Sequence, residues 1–172
     1  LSAQKFGVAS CSNPTRGLYM GGAISGTEND ANNQRVNIDF ITIASTGDAQ
    51  DFGDLSQKRS QAGAASNSIR GIVFGGRYAP TQTIIDYVNI ATLGNTTSFG
   101  TLSRSETRDG GAMASSTRAA HAGGDNLFPS TANPVNTIEY VSIATEGNSV
   151  DFGDLTQARK HLSGLSNGHG GL

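Results

Sequence analysis

The chain has no tryptophan, one cysteine and only four prolines. A lone thiol cannot close an internal disulfide, so a small disulfide-stapled domain is excluded. Cys11 sits among small residues and reads as a buried small hydrophobe. Charge is scarce as well: Asp, Glu, Lys and Arg make up 15 % of the residues, and the net charge is −2. No basic cluster is present, which removes the footprint that nucleic acid requires. No run of about 18 apolar residues occurs, so nothing reads as a membrane-spanning helix. Low charge together with 35 % hydrophobic residues also argues against a disordered chain. No window carries a convincing helical period.

What the chain has in excess is glycine, 23 residues of 172, and it recurs with a period. Residues 38–55, 84–102 and 138–155 share one grammar: an acid, an aromatic, a β-branched alternation, Ile-Ala, a Gly turn, then Phe-Gly-x-Leu. The closing residues Leu55, Leu102 and Leu155 are about 50 residues apart, the spacing of a repeat architecture. Phasing on them divides the chain into units 1–54, 55–101 and 102–154, with 155–172 as the first third of a fourth.

Each unit reads as four short strands. The first is rich in Gly, Ala and Ser (Phe6–Ser12, Gln61–Ser66, Gly110–Ser115, His161–Ser166). The second is apolar and ends in Gly-Gly (17–22, 71–76, 119–124). The third holds the acid–aromatic pair (Val36–Ile43, Ile84–Ile90, Thr137–Ile143), and the fourth is centred on Phe52, Phe99 and Phe152. Gly-Asp and Gly-Asn between strands three and four are hairpin signals. A blade of such a repeat is covered on both sides, so Ile38, Phe40 and Ile43 are expected to be buried. The same holds for Ile85, Tyr87 and Ile90, and for Ile138, Tyr140 and Ile143.

This unit resembles the kelch repeat of β-propellers. The resemblance rests on Leu18-Tyr19-Met20-Gly21-Gly22, Ile72-Val73-Phe74-Gly75-Gly76, and the pairs Asp39-Phe40, Asp86-Tyr87 and Glu139-Tyr140. Phe52, Phe99 and Phe152 stand where kelch units usually carry Trp. The Ile-Ala-Thr-x-Gly-Asn run is similar to kelch-like arrays in virion and tail-fibre proteins of tailed phages. The resemblance implies an all-β fold of four-stranded antiparallel blades, about three and a third of them in this chain, with strand one innermost. Propellers typically close with about four to eight blades, so the chain is expected to be part of a longer one. It also implies a virion component, or otherwise an extracellular protein, with other subunits, a receptor or a glycan as partners.

The residues show no catalytic set. His121, His161 and His169 match no zinc spacing, no nucleophile elbow occurs, and the Gly-Gly pairs lack the Lys-Ser/Thr of a phosphate loop. Propeller enzymes need carboxylate pairs or metal ligands near the axis, where this chain has Gly, Ala and Ser. A non-enzymatic structural or adhesive role is therefore expected, with no cofactor and no metal; the alternative is a lectin-like propeller. Binding residues are expected in the loops between strands two and three: Glu28, Asp30, Asn32, Tyr78, Asn126 and Phe128. Two sets of charges recur at fixed phase. Lys5, Arg59, Arg108 and Arg159 precede strand one, and Arg16, Arg70 and Arg118 precede strand two. An arginine entering an apolar strand needs acceptors, so Arg16, Arg70 and Arg118 are expected to pair with Asp39, Asp86 and Glu139.

Overall fold

The computed structural model describes residues 1, 3–24, 31–77, 83–104, 108–125 and 133–166. These form twelve strands in three four-stranded antiparallel sheets, with one short 3-10 turn at Ala31–Asn33. Sheet I holds β1 (Ala9–Ser12), β2 (Arg16–Met20), β3 (Asn37–Thr42) and β4 (Gln50–Asp54) in sequence order. Sheet II repeats this with β5 (Gly63–Ser66), β6 (Arg70–Phe74), β7 (Ile84–Asn89) and β8 (Thr97–Thr101). Sheet III follows with β9 (Gly111–Ala114), β10 (Arg118–Ala122), β11 (Thr137–Ser142) and β12 (Val150–Asp154).

Local chemistry sets the turns. Between β1 and β2 the Asn13 Oδ1 accepts the Thr15 and Arg16 N–H groups at 3.0 and 2.7 Å. Asn67 does the same for Ile69 and Arg70 at 2.9 and 2.8 Å, and the Ser115 Oγ for Thr117 and Arg118 at 3.3 and 3.1 Å. A side-chain oxygen that mimics a backbone turn is what Asn and Ser supply at such positions. The Gly-Gly pairs lie just beyond the second strands rather than inside them. Gly21 and Gly22 turn left-handed at φ 66° and 96°, and a Cβ on Gly21 would run into the Arg59 carbonyl oxygen.

The sheets stack face on face, and both cores lie between them. Leu18, Met20, Ile38, Phe40 and Phe52 of the first unit, with Leu55 just beyond it, pack on Val73, Val88 and Ile90 of sheet II. Ile72, Phe74, Ile85, Phe99 and Leu102 pack in the same way on Ala112, Ala114, Val141 and Ile143 of sheet III. The first strands lie side by side, β1 against β5 and β5 against β9, where small side chains allow close approach. Residues 161–166 were expected to form another first strand. They make no ladder, but the Leu162 N–H bonds to the Asp109 carbonyl at 3.2 Å, and Gly164 lies on the backbone of Ala112.

The last strand of sheets I and II is capped by the next sheet's hairpin. The Gly94 N–H donates to the Phe52 carbonyl and the Thr96 N–H to the Asp54 carbonyl, both at 2.8 Å. Asn95 Oδ1 accepts the Asp54 N–H at 2.9 Å. One unit later Gly147 donates to Phe99 and Ser149 to Thr101, both at 2.9 Å, while Asn148 Oδ1 accepts the Thr101 N–H at 3.0 Å. Gly100 has to be glycine because a Cβ there would collide with the Gly147 carbonyl.

Position in the stack decides burial. Phe52 and Phe99 are 2 % and 3 % exposed, whereas Phe152 is 60 % exposed. Ile90 and Ile143 are buried, but Ile43, expected in the core, is 52 % exposed. Its face of sheet I has no sheet in front of it among the described residues. Tyr87, Ile138 and Tyr140 are half-buried rather than enclosed.

Candidate functional site

Of the loop residues expected to bind, Glu28, Asp30, Tyr78, Asn126 and Phe128 lie outside the described residues. Asn32 is exposed in the turn Ala31–Asn33, and its carbonyl accepts Arg35 Nη1 at 2.7 Å. The charges can be followed in detail, and they correct the expected pairing. Arg16 does not reach Asp39. Its Nη1 crosses to sheet II and donates to the Ile90 and Ala91 carbonyls at 2.9 and 2.8 Å. Arg70 does the same toward sheet III, donating to Ile143 and Ala144 at 2.9 and 3.4 Å. Each guanidinium lies over the aromatic ring of its own sheet's third strand: Arg16 on Phe40 at 5.0 Å, Arg70 on Tyr87 at 4.6 Å and Arg118 on Tyr140 at 4.7 Å. Carbonyls left over where the third strand ends supply the acceptors, so no carboxylate is needed. Arg118 is exposed and keeps only its ring contact among the described residues, because no sheet lies ahead of it.

The acids go instead to the bases that precede strand one. Lys5 Nζ meets Asp39 Oδ2 at 2.9 Å with both side chains buried. Arg59 is fully buried, bonds to Asp86 Oδ2 and to the Gly75 carbonyl, and shares Asp86 with the Ser56 hydroxyl. Desolvation lowers the pKa of this guanidinium, while Asp86 works in the opposite direction. Unit three departs from the pattern. The left-handed residues Gly7, Gln61, Asp109 and His161, at φ between 55° and 62°, mark one phase, and the base stands two residues earlier at Lys5, Arg59 and Arg159. In unit three that position is Thr107, so Arg108 falls one residue late. Arg108 bonds to Asp125 at 3.2 Å instead, with Lys160 on the same oxygen at 3.2 Å. Glu139 is left with hydroxyl donors among the described residues, Ser103 and Ser149.

The other reactive groups are inert in their settings. His121 is buried between sheets II and III, 5.7 Å from the Phe74 ring, and burial pushes its pKa down to about 4. Its Nε2 has no hydrogen-bond partner among the described residues. Cys11 is half-buried rather than enclosed. Desolvation pushes its thiol up to about 12 against the opposing Ser66 hydrogen bond, so it stays protonated. A cavity of about 390 Å³ beside the first strands is lined by Ser10, Cys11, Ser12, Tyr19 and Ser66, with no acid–base pair on its wall. No cluster of three or more His, Cys, Asp or Glu able to hold a metal occurs among the described residues. No described helix is long and apolar enough to cross a membrane.

The best-defined surfaces are therefore the sheet faces. The two filled interfaces use the same groups at the same positions, and sequence reasoning missed them as sites because it looked to loops and to ion pairs. The signal was present in the recurrence of the Arg in every unit and of the Gly-Asn turn in units two and three. No protein-family model matches the chain, and no curated protein matches it.

Proposed function

We propose that the chain is an array of kelch-like propeller blades that serves as a non-enzymatic structural and adhesive component of a virion or tail fibre. The observation that carries this reading is the identity of the two interfaces. Arginine to the Ile and Ala carbonyls, hairpin to the Phe-Gly strand, and Phe into the core recur from sheet I to II and from II to III. A chain that spends its polar groups on joining one unit to the next suits a scaffold. The side-by-side first strands, built from small residues, favour a radial arrangement of blades. The loops between strands two and three vary in length while the strands do not, so they are the surfaces offered to a receptor or a neighbouring subunit.

Immunogold labelling with antibodies raised against the chain tests the assignment on particles from the source culture. Label on fibres or on the particle surface supports it, and particles without label overturn it. A glycan array run with the same protein separates the lectin-like alternative, which requires repeated weak sugar binding.

A further inference from the structure

We propose that the uncovered face of sheet III binds sheet I of a second copy of this chain, head to tail. The argument is continuity with the two interfaces inside the chain and does not depend on the virion reading. Both filled interfaces join a leading face, which carries Phe and Arg, to a trailing face, which carries Ile and a Gly-Asn hairpin. Beyond residues 155–166, sheet III presents its leading face open among the described residues: Phe152 60 % exposed, Met113 42 % exposed, and Arg118 exposed. A Cβ on Gly153 would meet nothing within 4 Å, where Gly100 is closed off by its neighbour's hairpin. Sheet I presents a complete trailing face in the same condition. Ile43 is 52 % exposed, where the equivalent Ile90 and Ile143 of the filled interfaces are buried.

The two halves match group by group. Arg118 would donate to the Ile43 and Ala44 carbonyls, as Arg16 does to Ile90 and Ala91. The Gly47 N–H would donate to the Phe152 carbonyl, as Gly94 does to Phe52. The Asp48 carboxylate would accept the Asp154 N–H, taking the place of Asn95 and Asn148. Because the two faces differ, the contact is heterologous, so copies close as a ring where the rotation from sheet to sheet completes a turn and add in a row where it does not. Residues 161–166 already hold the first-strand position on sheet III; having no ladder of their own, they yield to the arriving Ala9–Ser12. One feature weakens the joint. Asp48 places a carboxylate beside Asp154, where the internal interfaces have a neutral Asn.

Sedimentation velocity of the full chain between about 5 and 200 µM reads this directly. The expected result is a weight-average mass that rises with concentration to at least that of a dimer. Asp48→Asn, which restores the internal Asn, shifts the association to about tenfold lower concentration. Phe152→Asp and Ile43→Glu each abolish it while leaving far-UV circular dichroism unchanged and lowering the melting temperature by only about 2–4 °C, since both side chains are largely exposed. Mixed together, these two variants form a dimer and nothing larger, because one has a live trailing face and the other a live leading face. The proposal is overturned if the parent and Asp48→Asn both stay monomeric at every concentration, if association survives Phe152→Asp or Ile43→Glu, or if the mixture of the two stays monomeric.

Discussion

Substituting Phe52, Phe99 and Phe152 by Ala compares one chemical change at three equivalent positions. The three rings share their local setting: each meets the aromatic of its own third strand edge-to-face, at 6.0, 5.7 and 5.9 Å between centroids. They differ in what covers them. Phe99 is 3 % exposed in the core between sheets II and III, so truncation loses the full transfer free energy and leaves a cavity, about 3–5 kcal/mol in all. Phe52, 2 % exposed, behaves alike. Phe152 is 60 % exposed, so less than half of a transfer value of about 1.5–3 kcal/mol is at stake and no enclosed cavity forms. The expected loss is about 1 kcal/mol. Guanidinium titration followed by far-UV circular dichroism, at a concentration low enough to keep copies apart, measures all three. The chain has no tryptophan to report by fluorescence. A loss at Phe152 equal to that at Phe99 would refute the argument that position in the stack sets burial.

His121 is held neutral by burial, with its pKa depressed from 6.5 to about 4. The unfolded chain therefore takes up the proton first as the pH falls. Stability is full above about pH 6.5 and declines toward pH 4 by about 3 kcal/mol, and His121→Val, the residue of unit two at this position, flattens that part of the pH profile. Asp86→Asn strands the buried Arg59 charge and costs about 3–5 kcal/mol in a denaturant titration. Glu139→Gln keeps an acceptor for its two serine donors and costs about 1 kcal/mol. Alkylation of Cys11 at pH 8 is expected to run at least about 100-fold slower in the native chain than in denaturant, because its thiol is pushed up to about 12.

The repeat was legible in the sequence because strand, turn and glycine positions are local properties. The third strands, expected at Val36–Ile43 and Ile84–Ile90, form at Asn37–Thr42 and Ile84–Asn89. The pairing of charges was not legible. Which acid meets which base depends on register, and Tyr19 facing Asp39 across β2 and β3 says nothing about Lys5 arriving from before β1. Burial of Ile43 was misjudged for a related reason. Its own sequence context matches that of Ile90, and only the number of sheets in front of it separates the two.

The acceptors chosen by Arg16 and Arg70 are main-chain carbonyls, a group that every residue carries. The joint between units therefore reads the path of the neighbour's backbone and places almost no demand on which side chains stand at 91 or 144. Units joined in this way can diverge in sequence, and exchange order by recombination, while the fastening between them is inherited intact.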